Sequence, residues 1–342
     1  MRWWKRAIGR PRAPKTSDGA VRQALYALLD QDLDRAQELL ARAAQIAPDE
    51  IDAYLMLGRL YRQRGEVGRA IRIHQNLMLR PELDDGLRTG VLRELACDFR
   101  AGGFLRRAIA AFEEVLSREP RDERSLRELA RLLADTRDHE RAIEIERRLA
   151  KREGRDASLR ESELQLEIAR AAEAEGRSGD ARKALKRATR RDPRNVDAWI
   201  LSGRLEAEEQ HTRRALAAWR RVPEIDRRAG PRVYPQLAAT FAAAGKPREY
   251  ESYLAQLLAA EAEDPLARLA LANSLAARGE TDRALEEIRR VLAQNPVDLD
   301  AHLALGRVLI AAGRDGEALK SYAELLGVLE RQRTAPPAEA LE

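Results

Sequence analysis

The chain has 342 residues, of which 44% are hydrophobic, and this content excludes a disordered chain because it is enough to bury a core. The 62 basic and 57 acidic residues nearly balance, so the net charge of +5 gives no reason to expect a nucleic-acid-binding protein. Aromatic residues make up only 4%, and few segments alternate apolar and polar residues, which predicts helices rather than strands.

Residues 1–16 form a basic segment that differs from the rest of the chain. It opens MRWWKRAIGRPRAPK and lacks the apolar run of a secretory signal. Tryptophan beside cations is typical of an anionic membrane interface, so Trp3, Trp4, Lys5 and Arg6 are candidate membrane contacts. A flexible basic tail is the alternative interpretation. Nowhere does an apolar run of about 18 residues predict a membrane-spanning helix.

A repeat of about 34 residues follows, and the stretch LGRLYRQRGEVGRAIRIHQNLM at residues 57–78 shows its frame. Gly58 stands at position 8, Tyr61 at position 11, Gly65 at position 15 and Ala70 at position 20. This is the spacing of the tetratricopeptide repeat, a pair of antiparallel helices. Small residues at positions 8 and 20 let the two helices cross closely, and glycine at position 15 permits a left-handed turn between them.

The frame recurs nine times and predicts an all-α fold, a right-handed superhelical solenoid of about nine tetratricopeptide repeats. The predicted repeats occupy residues 17–331 and begin near residues 17, 51, 89, 123, 162, 196, 231, 265 and 299. Insertions around PELDDGLRTG and REGRDASLR predict longer loops after the second and fourth repeats. Residues 332–342, which include two prolines, are predicted as a disordered tail.

Two repeats depart from the frame. The sixth has Ser202 and Glu206 where large apolar residues are expected, so its first helix is predicted to be shifted or loosely packed. The seventh has Tyr250 in place of the small residue at position 20.

No catalytic, cofactor or metal site is predicted. Cys97 is the only cysteine, which excludes an intramolecular disulfide and indicates a reducing compartment. His74, His139, His211 and His302 fall in different repeats without metal-ligand spacing. Because His74 occupies position 24, we expect a packed, hydrogen-bonded side chain rather than a ligand. The protein is therefore expected not to be an enzyme.

Positions 2, 5, 9 and 12 of each first helix are expected to face a concave groove, and arginine is over-represented there. The candidate partner-binding residues are Arg59, Arg62, Arg93, Arg127, Arg131, Arg170, Arg204 and Arg307. Since guanidinium groups bind carboxylates and phosphates bidentately, the groove is predicted to accept an acidic or phosphorylated segment of another protein. The alternative is that these arginines only pair with neighbouring glutamates and aspartates.

Three stretches resemble the lipopolysaccharide assembly protein B family. They are residues 57–78, LACDFRAGGFLRRAIAAFEEVL at 95–116 and AAAGKPREYESYLAQLL at 242–258. The resemblance implies a non-catalytic adaptor on the cytoplasmic face of the bacterial inner membrane. The family is understood to work with a membrane-bound AAA protease that degrades the deacetylase committing precursors to lipid A.

Two family features are missing from the printed sequence, a transmembrane helix at the start and a rubredoxin-like metal domain with four cysteines at the end. We therefore expect a cytoplasmic protein without the metal function, whose membrane contact is peripheral. The alternative is a soluble tetratricopeptide-repeat protein with an unrelated regulatory partner.

Overall fold

The computed structural model describes residues 16–260 and 264–334. Within these ranges the chain forms eighteen α-helices and one short 3₁₀-helix, with no strand. The all-α prediction is therefore confirmed. Trp3, Trp4, Lys5 and Arg6 lie outside the described residues, as does the segment 335–342 of the predicted tail. None of the described helices is both long enough and apolar enough to cross a bilayer.

The chain divides into two compact units, Met1–Leu164 and Gln165–Glu342. In the first unit, consecutive antiparallel helices pack as pairs. They are α1 Ser17–Leu29, α2 Leu33–Ile46, α3 Ile51–Gln63, α4 Val67–Met78, α5 Asp85–Ala101, α6 Leu105–Arg118, α7 Glu123–Asp135 and α8 His139–Glu153. The division falls inside α9, Ser158–Ala174.

The second unit continues the same arrangement. Its helices are α10 Ser178–Arg191, α11 Val196–Glu208, α12 Thr212–Ile225, the 3₁₀-helix Arg227–Arg232, α13 Tyr234–Ala243, α14 Pro247–Ala260, α15 Pro265–Ala277, α16 Thr281–Gln294, α17 Leu299–Ala311 and α18 Asp315–Thr334. The last helix extends three residues into the segment predicted as a tail.

The insertions after the second and fourth repeats lengthen the helices that follow them. Both α5 and α9 begin four residues before the predicted repeat starts. Asp84 explains the early start of α5, because its carboxylate accepts a hydrogen bond from the backbone amide of Leu87 at 2.7 Å and so caps the helix. The expectation of a longer loop is confirmed after the second repeat, where residues 79–84 separate α4 from α5. It was wrong after the fourth repeat, where residues 154–157 form a loop no longer than 47–50 between α2 and α3.

Small residues pack at the helix crossings as the frame predicts. Ala70, Ala108 and Ala215, at position 20 of three repeats, are fully buried. In the sixth repeat α11 is not loosely packed, because Gly203 lies directly under the indole of Trp219 and a Cβ there would overlap the ring. The predicted shift of this helix was also wrong, because α11 begins at Val196, where the repeat was predicted to start.

Candidate partner-binding surfaces

The predicted groove arginines of the second repeat belong to a buried ionic network. Glu94 and Asp98 of α5 have side chains only 1% and 0% exposed. Arg62 donates to Glu94 at 2.7 Å and to Asp98 at 2.5 Å. Arg59 and Arg124 each donate to Oε1 of Glu94 at 2.8 Å. Two carboxylates thus hold three guanidinium groups from the helices on either side, α3 and α7.

The side chain of His74 in α4 also belongs to this network. Its Nδ1 donates to Oδ2 of Asp98 at 2.5 Å, and its side chain is fully buried. The other ring nitrogen, Nε2, is buried without a hydrogen-bond partner among the described residues. The ring packs on Gly58, where a Cβ would overlap it. His74 is therefore the packed, hydrogen-bonded residue predicted from position 24.

The surroundings of α5 shift the pKa values of Glu94 and Cys97. Burial acts to raise the pKa of Glu94, but hydrogen bonds from Arg59 and Arg62 outweigh it and lower that pKa to about 2. Burial raises the pKa of the Cys97 thiol, so the thiolate that a nucleophile needs is disfavoured. The arrangement therefore links α3, α5 and α7 of three consecutive repeats and disfavours the nucleophilic form of Cys97.

Four further predicted arginines are also paired. Arg93 donates to Glu119 at 2.6 Å and to Asp122 at 3.1 Å. Arg127 donates to Glu153 at 2.5 Å. In the second unit, the corresponding contacts are Arg170 with Glu167 at 2.7 Å and Arg204 with Glu173 at 2.6 Å. Six of the eight candidates thus make ion pairs with neighbouring acidic residues.

Arg131 and Arg307 differ from the other six. Both side chains are exposed, and neither makes an ion pair within the part of the chain that the structure describes. Each lines a cavity in its own unit. These two arginines are the predicted site residues whose charge is available to a partner.

Arg131 lies in a depression of about 410 Å³ in the first unit, here called the basic depression. It is lined by Arg127, Ala130, Arg131, Ala142, Glu146, Leu149, Glu153, Arg155, Arg160 and Leu164. Four guanidinium groups and two carboxylates therefore line the depression, and Arg160 also pairs with Glu163 at 2.7 Å. Arg155 donates to both Glu146 and Glu153 at 2.5 Å, which leaves Arg131 with no carboxylate of its own.

Arg307 lies at a larger cavity of about 780 Å³ in the second unit, here called the apolar groove. It is lined by Pro231, Tyr234, Pro235, Ala238, Ala239, Ala242, Pro247, Tyr250, Leu266, Leu269, Ala270, Asn273, Ser274, Ala277, Arg278, Asp300, Ala304 and Arg307. Most of the frame positions expected to face the groove in the last three repeats line it. In these repeats the positions are mainly apolar, so a pattern of arginines could not indicate this surface.

Tyr250 gives a reason for the groove. It occupies the crossing position that is small in most repeats, so α13 and α14 cannot approach as closely. Its ring stacks on Phe241 with centroids 5.9 Å apart, and its hydroxyl donates to the carbonyl of Tyr234 at 3.2 Å. The replacement of a small residue at position 20 was the sequence signal for this surface.

Metal binding finds no support in the described ranges, 16–260 and 264–334, where no cluster of three or more His, Cys, Asp or Glu side chains is placed to hold an ion. The basic depression and the apolar groove are the two cavities lined by a predicted arginine without a described ion pair.

Comparison with known proteins agrees with this architecture. The tetratricopeptide-repeat family matches residues 27–80, 93–158, 162–205 and 269–337, which together make up more than half of the chain. Among solved structures, the crystal structure of MamA protein is 18% identical and covers 53% of this chain and 98% of its own, with a TM-score of 0.35. The structure of Naa15/Naa10 bound to HypK-THB is 15% identical and covers 90% of this chain and 52% of its own, with a TM-score of 0.39.

Two curated relatives share one name. Lipopolysaccharide assembly protein B of Escherichia coli strain K12 is 28% identical over 258 residues, which are 75% of this chain and 66% of that protein. The Haemophilus influenzae protein of the same name is 30% identical over 156 residues, 46% of this chain and 39% of that protein. The chain thus spans just under two thirds of the E. coli relative. It belongs to the tetratricopeptide-repeat proteins and is similar to lipopolysaccharide assembly protein B over three quarters of its length.

Proposed function

We propose that the chain is a non-catalytic adaptor whose basic depression binds an acidic or phosphorylated segment of another protein. The observation that carries this proposal is Arg131, which is exposed and free of any described ion pair in a depression whose other three arginines are paired. A carboxylate or phosphate from a partner would receive charge-assisted hydrogen bonds there, and these are stronger than neutral ones.

The paired arginines limit where such a segment binds. Arg59 and Arg62 are held by carboxylates that are almost fully buried, so recruiting them would leave a buried charge without its partner. Exposed pairs such as Arg127 with Glu153 contribute little to stability and exchange readily with a partner's carboxylate. The acidic segment is therefore proposed to bind at Arg131, with Arg127 and Arg160 beside it.

Affinity purification of the full chain, followed by mass spectrometry, would identify the partner. We expect Arg131→Glu to weaken its binding at least 10-fold. Arg106→Glu is the matched control, because Arg106 is exposed on α6, a second helix of the same unit, and its replacement makes the same change of charge. Equal affinities for the wild type and Arg131→Glu would contradict binding of an acidic segment at this depression.

The similarity to lipopolysaccharide assembly protein B supports a more specific role. We propose that the adaptor acts in the regulation of lipopolysaccharide synthesis through a membrane protease, at the cytoplasmic face of the inner membrane. Trp3, Trp4, Lys5 and Arg6 would supply peripheral membrane contact, because cationic and indole side chains favour an anionic interface.

Two measurements address this role. Purified full chain should sediment with vesicles that contain phosphatidylglycerol, and a Trp3→Ala/Trp4→Ala variant should sediment less. A membrane protease should be among the proteins captured from cells. If no protease is captured and the chain does not sediment with membranes, the soluble interaction protein with an unrelated regulatory partner is the better description.

A further inference from the structure

The apolar groove is a second surface whose chemistry differs from that of the basic depression. Its lining includes six alanines, contributed by α13, α15 and α17, namely Ala238, Ala239, Ala242, Ala270, Ala277 and Ala304. Because alanine side chains are small, they leave unfilled volume in the groove, and large side chains of a partner would fill it. A volume of about 780 Å³ is within the range of about 300–1,000 Å³ that is typical of ligand sites.

A polar group stands among these apolar residues. Asn273 of α15 is exposed, has no hydrogen-bond partner among the described residues, and is flanked one helical turn away by Leu269 and Ala277. A side-chain amide both donates and accepts hydrogen bonds, which matches a peptide group. A lipid acyl chain has neither donor nor acceptor, so the floor of the groove favours a protein segment over a lipid.

The two ends of the apolar groove carry opposite charges, and this difference would orient a bound segment. Arg307 is exposed and unpaired in the described part of the chain, whereas Arg278 already donates to Glu251 at 2.6 Å. Asp300 lies on the same face of α17, two turns or about 10 Å before Arg307. A carboxylate is therefore favoured at the Arg307 end and disfavoured at the Asp300 end.

We propose that the apolar groove binds a partner-protein segment that carries at least two large apolar side chains and a carboxylate next to Arg307. The apolar side chains pack on the alanines, and the backbone of the segment pairs with Asn273. The inference rests on the proposed adaptor function, because it assigns the chain a second binding site for another protein.

Peptide phage display on the full chain would test the specificity. Peptides that bind should share large apolar residues and an aspartate or glutamate, and fluorescein-labelled copies would serve as probes. Ala239→Arg should lower their affinity at least 10-fold, because Ala239 is exposed and a long side chain there fills the groove. Gln236→Arg is the matched control on the same helix, since Gln236 is exposed but does not line the groove.

Arg307→Glu tests the charge. We expect this variant to bind the acidic peptides with at least 10-fold lower affinity. It should bind more tightly to copies of the peptides in which lysine replaces the aspartate or glutamate. The helical circular dichroism of each variant, at unchanged intensity, would show that the fold is retained.

Three outcomes would overturn the inference. In the first, the selected peptides bind Ala239→Arg as well as the wild type. In the second, they lose affinity only with Arg131→Glu, which supports the proposed adaptor function but places the site in the first unit. In the third, Ala239→Arg abolishes binding to phosphatidylethanolamine–phosphatidylglycerol vesicles and leaves peptide binding unchanged, which assigns the groove to lipid.

Discussion

Three glycines at position 8 each lie under a ring at position 24 of the same repeat. The pairs are Gly58 with His74, Gly203 with Trp219 and Gly306 with Tyr322, and in each a Cβ on the glycine would overlap the ring. Where position 8 is alanine instead, position 24 is mostly aliphatic, as in Leu40, Leu185, Leu254 and Ile288. Phe112 and Glu146, which also occur with alanine at position 8, are the exceptions. In the three glycine repeats the two positions therefore share one space between the helices, because protein interiors are close-packed.

Gly203→Ala is expected to lower the free energy of unfolding by about 1–3 kcal/mol, because the new methyl group overpacks the space beneath Trp219. Trp219→Leu alone creates a cavity and removes the hydrogen bond from the indole to the carbonyl of Ile200. The loss of unfolding free energy in the double variant should be smaller than the sum of the two single losses. We expect the difference to be about 1 kcal/mol or more. Urea unfolding followed by circular dichroism would measure all three.

Gly179→Ala is the control for this pair of positions. No atom lies within 4 Å of a Cβ built on Gly179, which is in α10 of the same unit. Alanine should therefore leave stability unchanged or raise it by up to about 1 kcal/mol through its helix propensity. Strict additivity in the Gly203 and Trp219 double variant would show that the two positions do not share one space.

The buried Glu94 makes stability depend on pH. Its folded-state pKa of about 2 lies below the ordinary 4.5, so the network contributes stability above about pH 4.5 and loses it as the pH falls towards 2. This contribution is on the order of 3 kcal/mol at neutral pH. Glu94→Gln should therefore lower the urea midpoint at pH 7, and the gap from the wild type should narrow between pH 5 and pH 3.

Glu114→Gln provides the comparison for Glu94. Glu114 is about half exposed and pairs only with Arg118, one turn away on the same helix. Its replacement should cost no more than about 0.5 kcal/mol. A gap between Glu94→Gln and the wild type that stays constant from pH 7 to pH 3 would contradict the role assigned to the Glu94 carboxylate.

At the scale of elements, the turn inside each repeat depends on one left-handed residue at position 15. Six repeats have glycine there, with φ between 71° and 81°. Three have another residue, Gln31, Arg137 and Gln210, with φ of 59°, 62° and 62°. The left-handed conformation costs a residue with a Cβ about 1–2 kcal/mol, so these three turns are strained.

Replacing Gln31, Arg137 or Gln210 with glycine should raise the free energy of unfolding by about 0.5–1 kcal/mol each. The gain is smaller than the strain relieved because glycine also increases the entropy of the unfolded chain. The reverse change, Gly176→Ala, should lower stability by a similar amount. Thermal unfolding midpoints would show the two directions, and a loss of stability in all three glycine variants would contradict the strain.

Most elements could be predicted from the sequence because positions 8, 15 and 20 are each restricted by local structure. Positions 8 and 20 must be small where the helices cross, and position 15 must adopt a left-handed conformation. The exceptions have local causes that the frame does not include. The cap by Asp84 starts α5 early, and Pro231 and Pro235 flank the start of the ten-residue α13. Helix α18 continues three residues beyond the predicted array, because residues 332–334 contain no glycine or proline.

On the scale of the whole molecule, the candidate sites were harder to predict than the helices. Arg59 and its acceptor Glu94 are 35 residues apart, and several glutamates compete for every arginine in such a chain. Which arginine stays unpaired depends on contacts between repeats, so Arg131 and Arg307 could be named as candidates but not separated from the other six. The apolar groove combines side chains from three repeats and is not visible in any one of them.

Repeat arrays are stabilised by contacts between neighbours, so damage to one repeat should remain local. Tyr250→Ala removes the ring that packs on Phe241 and the hydrogen bond to Tyr234, and we expect a loss of about 3–5 kcal/mol. Amide hydrogen exchange should then be at least 100-fold faster in α13 and α14, but unchanged in α3–α5. Tyr26→Ala is the control, because Tyr26 is 63% exposed.

The same variant links stability to recognition. Because Tyr250 lines the apolar groove, Tyr250→Ala should lower the affinity for the acidic apolar peptides. Binding of a partner at Arg131 in the basic depression should be unchanged. Faster exchange at every helix would mean that the array unfolds as one cooperative body. That result would contradict the prediction that Tyr250→Ala destabilises only its own repeat. Binding at the groove would then have to be tested with Ala239→Arg alone, because that variant leaves the core intact.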